Sequence, residues 1–245
     1  PLATPETPGA FLGGLRLMAA DGSVFDLPDT QENARVFGYP GSRRGTRAAF
    51  PKARLVFLVE AGTHILCDAL ISPYRRHERV QVRRLLRSLT PDMLLMWDRG
   101  LHSFRMVHET LATGAHYLGR VPANVKFEVV KPLKDGSYLS WIAPDRKSRK
   151  QGIGRIQVRV IEYTIESDAE AQTYRLITDL LDIERFPALL LAQHYHDRWE
   201  AENTLDEWKT HLNGRKVPVR SKTPRLVIQE IYGWDYLTRL LSIVN

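Results

Sequence analysis

Pro91-Asp-Met-Leu-Leu-Met-Trp-Asp-Arg-Gly100 is the stretch on which the fold turns. Met93 to Trp97 are all apolar, with no polar alternation, and a short run of this kind bounded by turn residues reads as a strand buried on both faces of a central sheet. The run stops at Asp98. A carboxylate at the C-terminal end of such a strand stands where α/β sheets place ligand sites, although a helix-capping or ion-paired aspartate has the same sequence.

Outward from this strand the pattern alternates. Ser103 to Thr113 has helical spacing, and His116 to Val121 reads as a second strand. Upstream, Glu78 to Leu89 reads as a helix with Val80, Val82, Leu85, Leu86 and Leu89 on its buried side and arginines on the rest. Arg54 to Glu60 and His64 to Ile71, separated by Ala61-Gly-Thr63, form an antiparallel hairpin. Gly14 to Phe25 is a further strand, in which Leu15, Leu17, Ala19 and Asp21 share one face by alternation. Gly22 is expected to open a tight turn there that leaves the Asp21 carboxylate exposed at a sheet edge. Gly41-Ser-Arg-Arg-Gly-Thr-Arg47 has no periodicity and reads as a surface loop. Together these elements predict an α/β chain built on a mixed sheet flanked by helices.

The texture changes between Pro122 and about Phe186, where Val125 to Leu133, Tyr138 to Ala143, Ile156 to Ile165 and Tyr174 to Leu181 are short β-rich runs between basic or Asp-Gly turns. The chain therefore divides into an arm or linker at 1–14, a first part of the main domain at 15–121, a mostly β insertion at 122–186 and a last part at 187–245, closed by a helix from about Thr223 to Val244. The 245 residues are 43% hydrophobic and 26% charged, an ordinary globular composition. No apolar run approaches the ~20 residues of a membrane span, and no export signal opens the chain, so a cytoplasmic protein with no membrane partner is expected. The single cysteine, Cys67, excludes an internal disulfide and reads as a small core residue. A net charge of +7, with arginines in clusters, attracts polyanions without proving that one binds.

A second stretch carries the chemistry: Tyr195-His-Asp-Arg-Trp-Glu-Ala-Glu-Asn-Thr-Leu-Asp-Glu-Trp-Lys209. On a helix, Tyr195, Arg198, Glu202 and Lys209 fall within a sector of about 60°, beside a core side made of Ala201, Leu205, Trp208 and Leu212. A solvated face laced with ion pairs has the same pattern. His194 and His196, two apart, point to opposite sides of a helix and do not share a zinc ion. No glycine-rich phosphate loop, nucleophilic serine elbow or cysteine pair is present.

The spacing of that stretch is the Y-(2)-R-(3)-E-(6)-K signature of the IS-four family of bacterial insertion-sequence transposases, which this chain resembles at three places in order: Asp21-Gly-Ser23 with Pro28-Asp-Thr30 downstream, Leu94-Leu-Met-Trp-Asp-Arg-Gly100, and Tyr195 to Lys209. The resemblance implies a ribonuclease-H-like fold with a β-rich insertion before the last catalytic helix, and cut-and-paste transposition by hydrolysis and strand transfer. It implies that Asp21, Asp98 and Glu202 are the catalytic, metal-binding carboxylates for two Mg²⁺ ions, with Mn²⁺ as a substitute. Hard divalent cations taking oxygen ligands suit such a set, and paired ions suit in-line phosphoryl transfer. By the same resemblance Arg198 and Lys209 hold phosphates, Tyr195 adds a hydroxyl contact, and Tyr174 stacks a flipped base where another member has tryptophan. The implied partners are DNA (terminal inverted repeats and target) and a second copy in a homodimeric synaptic complex, and the implied setting is the bacterial nucleoid. The family also carries an N-terminal end-binding domain, which the residues before Leu15 are too few to form, and dimerisation residues beyond Asn245. A catalytically silent DNA-binding or assembly module and a structure-specific nuclease of the same fold are the alternatives.

Overall fold

The computed structural model describes residues 3–41, 48–165, 172–196 and 219–233. Its strands are β1 (Phe11–Leu12), β2 (Leu15–Asp26), β3 (Lys52–Glu60), β4 (Leu66–Pro73), β5 (Met93–Trp97), β6 (His116–Arg120), β7 (Lys131–Pro132), β8 (Tyr138–Ile142), β9 (Ile156–Ile165) and β10 (Gln172–Thr178). The helices are α1 (Gln31–Phe37), α2 (Glu78–Leu85, prolonged by a 3₁₀ turn at Leu86–Ser88), α3 (Phe104–Ala112) and α4 (Arg146–Lys150). Residues 188–196 and 224–233 are also helical.

All the strands join one sheet in the order β4-β3-β2-β5-β6-β10-β9-β8-β7, with β1 beside β2. β2, β3 and β4 are antiparallel neighbours, whereas β5 and β6 run parallel to β2. The apolar run of β5 follows from this place in the middle: Leu94, Leu95, Met96 and Trp97 are all 0% exposed. Leu95 and Trp97 pack with Met18, Ala20, Val82 and Leu85 on the face covered by α2 and α3. Leu94 and Met96 pack with Leu17, Leu191 and Tyr195 on the other face. Each such side chain contributes ~1.5–3 kcal/mol by leaving water, which a polar alternation would forfeit on one side. The result is the mixed α/β sheet flanked by helices that the sequence predicts.

The insertion strands prolong the same sheet, because β10 pairs antiparallel with β6. A second link is Arg159 on β9, which is 0% exposed. Its guanidinium donates to Ser137 Oγ at 2.8 Å, to the carbonyls of Leu180 and Phe186 at 3.0 and 2.7 Å, and to the Asp135 carboxylate. Asp135 Oδ2 in turn accepts the amide of Ala188 at 2.9 Å, where the helical run 188–196 begins. One buried ion pair thus ties β9 to the entrance of that helix.

Several expectations are corrected. Asp21 is not at a sheet edge before a turn: β2 is an interior strand that continues through Gly22 to Asp26. A Cβ at position 22 would lie 2.4 Å from Glu78 Oε1 on α2, so a larger residue there would displace that side chain. Cys67 is exposed rather than buried. The β3–β4 register passes from Leu58↔Asp68 to Val59↔Leu66, so Cys67 is the extra residue of a bulge and is turned out of the ladder. Val80 is exposed at 43%. Of Val125 to Leu133 only Lys131–Pro132 is a strand, since Val125 and Phe127 pack on the core without pairing. α1 and α4 were not foreseen: Thr30 Oγ1 caps the first through Asn33 N, and Asp145 caps the second through Ser148 N. Of the expected loop at 41–47 and closing helix at 223–244, residues 42–47 and 234–244 lie outside the described residues.

Gly119 on β6 stands against the indole of Trp97, 2.2 Å from where a Cβ would be. Trp97 cannot retreat, since it is fully buried and stacked on Tyr117 at 5.3 Å. Gly119→Ala is therefore expected to cost about 3 kcal/mol by overpacking, read as a lower urea midpoint at unchanged slope. A midpoint equal to that of the wild type would refute the close packing.

Candidate active site

The register of the parallel strands builds the site. Ala20 pairs with Trp97 in the β2–β5 ladder, so Asp21 and Asp98 are the next positions on strands ~4.8 Å apart. Alternation sets Asp21 on the side of Leu17 and Ala19, and Asp98 on the side of Leu94 and Met96, which is one and the same face. Trp97 pairs with Gly119 in the β5–β6 ladder, which brings Arg120 opposite Asp98. Arg120 Nη1 lies 3.6 Å from Asp98 Oδ1. Leu176 pairs with Arg120 and Tyr174 pairs with Tyr163, so β10 and β9 continue the row on the same face. Asp21, Asp98, Arg120, Tyr174 and Tyr163 thus stand side by side across five adjacent strands.

The two carboxylates differ in surroundings. Asp21 accepts the amide of Gly22 at 2.7 Å. The Asp98 side chain is 35% exposed, yet its Oδ1 is buried and accepts no hydrogen bond, leaving that oxygen with the Arg120 charge as its described partner. An anionic oxygen in that condition is suited to a cation.

The aromatic end of the row is closely packed. Tyr174 stacks on Tyr163 at 5.4 Å between centroids, and the Arg120 guanidinium lies 4.2 Å over the Tyr174 ring. Since β10 runs between β6 and β9, these two neighbours approach the ring from opposite sides. His196 meets both tyrosines edge-on, at 5.6 and 5.1 Å, and its Nε2 is 3.0 Å from the Tyr163 hydroxyl. Burial, with Tyr195 and Tyr174 nearby, pushes that hydroxyl well up, so it keeps its proton at neutral pH. Tyr174, expected to stack a base, is 6% exposed with its ring covered in this way.

Tyr195 is fully buried, and its hydroxyl donates to the carbonyl of Trp97 at 3.4 Å. Leu191, one turn earlier, is buried in the same cluster. The helix face that the sequence marks as chemical is therefore, at this end, the one that packs on the sheet. Glu202, Arg198 and Lys209 lie outside the described residues. Among the described residues no three His, Cys, Asp or Glu side chains converge as metal ligands. Sequence reasoning missed Arg120, although its signal is present: a lone cation ending the strand His116-Tyr-Leu-Gly-Arg120 next to the one that ends at Asp98.

Comparison with known proteins gives the family. Residues 12–231 match the family described as Transposase DDE domain. The chain is 27% identical over 232 residues to the transposase InsG for insertion sequence element IS4 of Escherichia coli (strain K12), covering 93% of this chain and 51% of that protein. It is 29% identical over 120 residues to the putative transposase InsZ of the same strain, covering 48% of this chain and 40% of InsZ. It is also similar to a piggyBac transposase seen by cryo-EM in a synaptic complex with hairpin DNA, at 11% identity and a TM-score of 0.49, over 92% of this chain and 46% of that one. The chain spans about half the length of the curated relatives it matches. No helix among the described residues is long and apolar enough to cross a membrane. With a family match over nearly its whole length, the chain belongs to the family of the transposase DDE domain, whose chemistry depends on a divalent metal.

Proposed function

We propose that this chain is the catalytic core of an insertion-sequence transposase, which cleaves DNA at the element's ends and joins the freed 3′-hydroxyl to target DNA. The observation that carries this reading is the same-face register of Asp21 and Asp98 on neighbouring strands, beneath the helical run that bears Tyr195. Leu191 and Tyr195 bury one stripe of that run against the sheet, and a sequence continued at helical period would set Arg198 and Glu202 on the same stripe. That supports Glu202 as the third carboxylate.

The donor set fits the metal that the family requires. Asp21, Asp98 and Glu202 offer hard oxygens, and the buried Asp98 Oδ1 is one that no hydrogen bond satisfies. These three would hold two Mg²⁺ ions, with Mn²⁺ as a substitute, which when bound stabilise the attacking and leaving oxygens of an in-line displacement. Arg120, held by its stack on Tyr174 and aimed at Asp98, presents N–H donors to a phosphate oxygen beside the carboxylates. Tyr195 fixes the Trp97 carbonyl and so steadies the residue before Asp98. Arg198 and Lys209 would hold flanking phosphates. A base can take a face of Tyr174 only by displacing Arg120 or Tyr163, so Tyr174 first serves to position the arginine. The terminal inverted repeats, the target DNA and a second copy of the chain are the partners of this reading. Its functional parts are 15–121, 122–186 and 187–245, the middle one as a prolongation of the sheet.

The test uses labelled duplexes carrying the DNA that flanks the gene, incubated with the chain, Mn²⁺ and a supercoiled plasmid. Covalent joining of the labelled 3′ end to plasmid is the expected result. Hydrolysis without joining would make the chain a nuclease, and binding without either would make it a silent module.

A further inference from the structure

The α2 side of the same sheet end holds a feature that the reaction does not use. A cavity of ≈ 740 Å³ opens there, lined by Arg54, Tyr74, Arg75, Arg76, Arg79 and Gly100 among others, with Glu78 in its wall. Arg54 is internally compensated: it pairs with Glu78 at 2.8 Å and lies 5.3 Å over the Tyr74 ring. Arg75, Arg76 and Arg79 are exposed, and none of them forms an ion pair with a described residue. Arg79 is nonetheless fixed, since its Nε donates to the Gly100 carbonyl at 2.5 Å. Three cations therefore line one cleft with a single carboxylate, already engaged, among them. Two residues past Gly100, burial and, less, the Arg79 charge depress the His102 imidazole to about 4.

The cleft adjoins the candidate active site at two points. Glu78 lies against Gly22, next to Asp21, and Gly100 follows Asp98 by two residues. A row of carboxylates repels a polyanion, so a DNA backbone lying across it needs cations on either flank. Arg120 serves one flank. We propose that the Arg75, Arg76 and Arg79 cleft serves the other and seats the sugar-phosphate backbone of the DNA segment that leaves the Asp21–Asp98 end on the α2 side.

This inference rests on the DNA reading above, but its test needs no catalysis. The full chain is titrated without metal against a fluorescent duplex of ~30 base pairs at several salt concentrations. Arg75→Ala/Arg76→Ala/Arg79→Ala is expected to weaken binding at least tenfold at low salt and to reduce the slope of log K against log salt by about 2–3, at ~0.9 for each phosphate no longer neutralised. A local readout comes from the thiol introduced by Val80→Cys in a Cys67→Ser background, since Val80 lines the cleft and Cys67 is exposed. Saturating duplex should slow its alkylation by maleimide tenfold or more, whereas millimolar inorganic phosphate should not. A thiol introduced by Trp141→Cys, exposed on β8, should stay unprotected. An unchanged salt slope, or an unprotected thiol at position 80 under saturating DNA, overturns the cleft while leaving the proposed reaction standing. Failure of the wild-type chain to bind duplex DNA overturns both.

Discussion

Asp98→Asn is expected to lower metal-dependent joining of DNA ends about a thousandfold while the chain stays folded. The amide keeps the shape and volume of the carboxylate but removes the negative charge, and with it one of the oxygens that would hold the cation. Transition-state stabilisation of several kcal/mol is at stake in such sites, and ~4 kcal/mol corresponds to a thousandfold in rate. The cost to folding is small for a reason visible in the structure. Asp98 Oδ1 accepts no hydrogen bond, its side chain is 35% exposed, and its contact with Arg120 at 3.6 Å is a partly solvated ion pair worth at most ~1 kcal/mol. Two further readouts separate lost chemistry from lost binding. Mn²⁺ affinity by titration should fall at least tenfold, and metal-free DNA affinity should hold or rise, because a repelling charge has gone. A joining rate within tenfold of the wild type, with normal Mn²⁺ binding, would remove Asp98 from the site.

The second large effect is structural. Arg159→Met is expected to destabilise the chain by about 3–5 kcal/mol, because it leaves the Asp135 carboxylate, 17% exposed, without its counter-charge. It also strands the carbonyls of Leu180 and Phe186, which bind the same guanidinium. Arg159→Lys should recover only part of this, since a point charge cannot serve four acceptors held in a planar fork. Acid dependence gives an independent reading. Burial works to raise the Asp135 carboxyl, but bonds from Ser137 and the Ala188 amide, and the charge of Arg159, hold it below its ordinary value. A depressed folded value contributes stability above about pH 4 that is lost as pH falls towards the folded value. The wild type should therefore lose more stability below pH 4 than the methionine variant does. Equal urea midpoints for the two proteins at pH 7 would show that the pair contributes nothing net.

The sequence was most legible where burial alone decides structure. β5 and β9 could be bounded closely because long apolar or β-branched runs have few other uses, and the β2 alternation placed Asp21 on the right face. Neighbour relations were not legible. That Asp21 lies inside the sheet depends on β3 and β5 flanking it, and nothing in Leu15–Asp26 specifies that. Cys67 was misplaced because a bulge is a property of two strands, and alternation within one cannot show it. α1 and α4 escaped because seven and five residues, held by a single capping side chain each, carry too little periodicity to separate helix from loop. In the candidate site Asp98 was marked by its strand end and by resemblance, and Asp21 by alternation and resemblance. Arg120, Tyr163 and His196 were not, because they matter only through a register that joins β5, β6, β10 and β9.

Drawing the insertion strands into the sheet has a consequence for how this protein can be shortened. Were residues 122–186 a separate lobe, excision would leave a smaller catalytic unit with all its own pairing intact. Here β10 is the partner of β6, and removing it would bare the Tyr117-Leu-Gly-Arg120 backbone along the flank next to Asp98. An apolar strand with open N–H and C=O groups recruits other chains, so the trimmed protein would present a polymerisation seam beside the candidate site. The insertion is the cover of an edge as well as an addition to the site, and any natural or engineered abridgement of this chain has to supply another strand in its place.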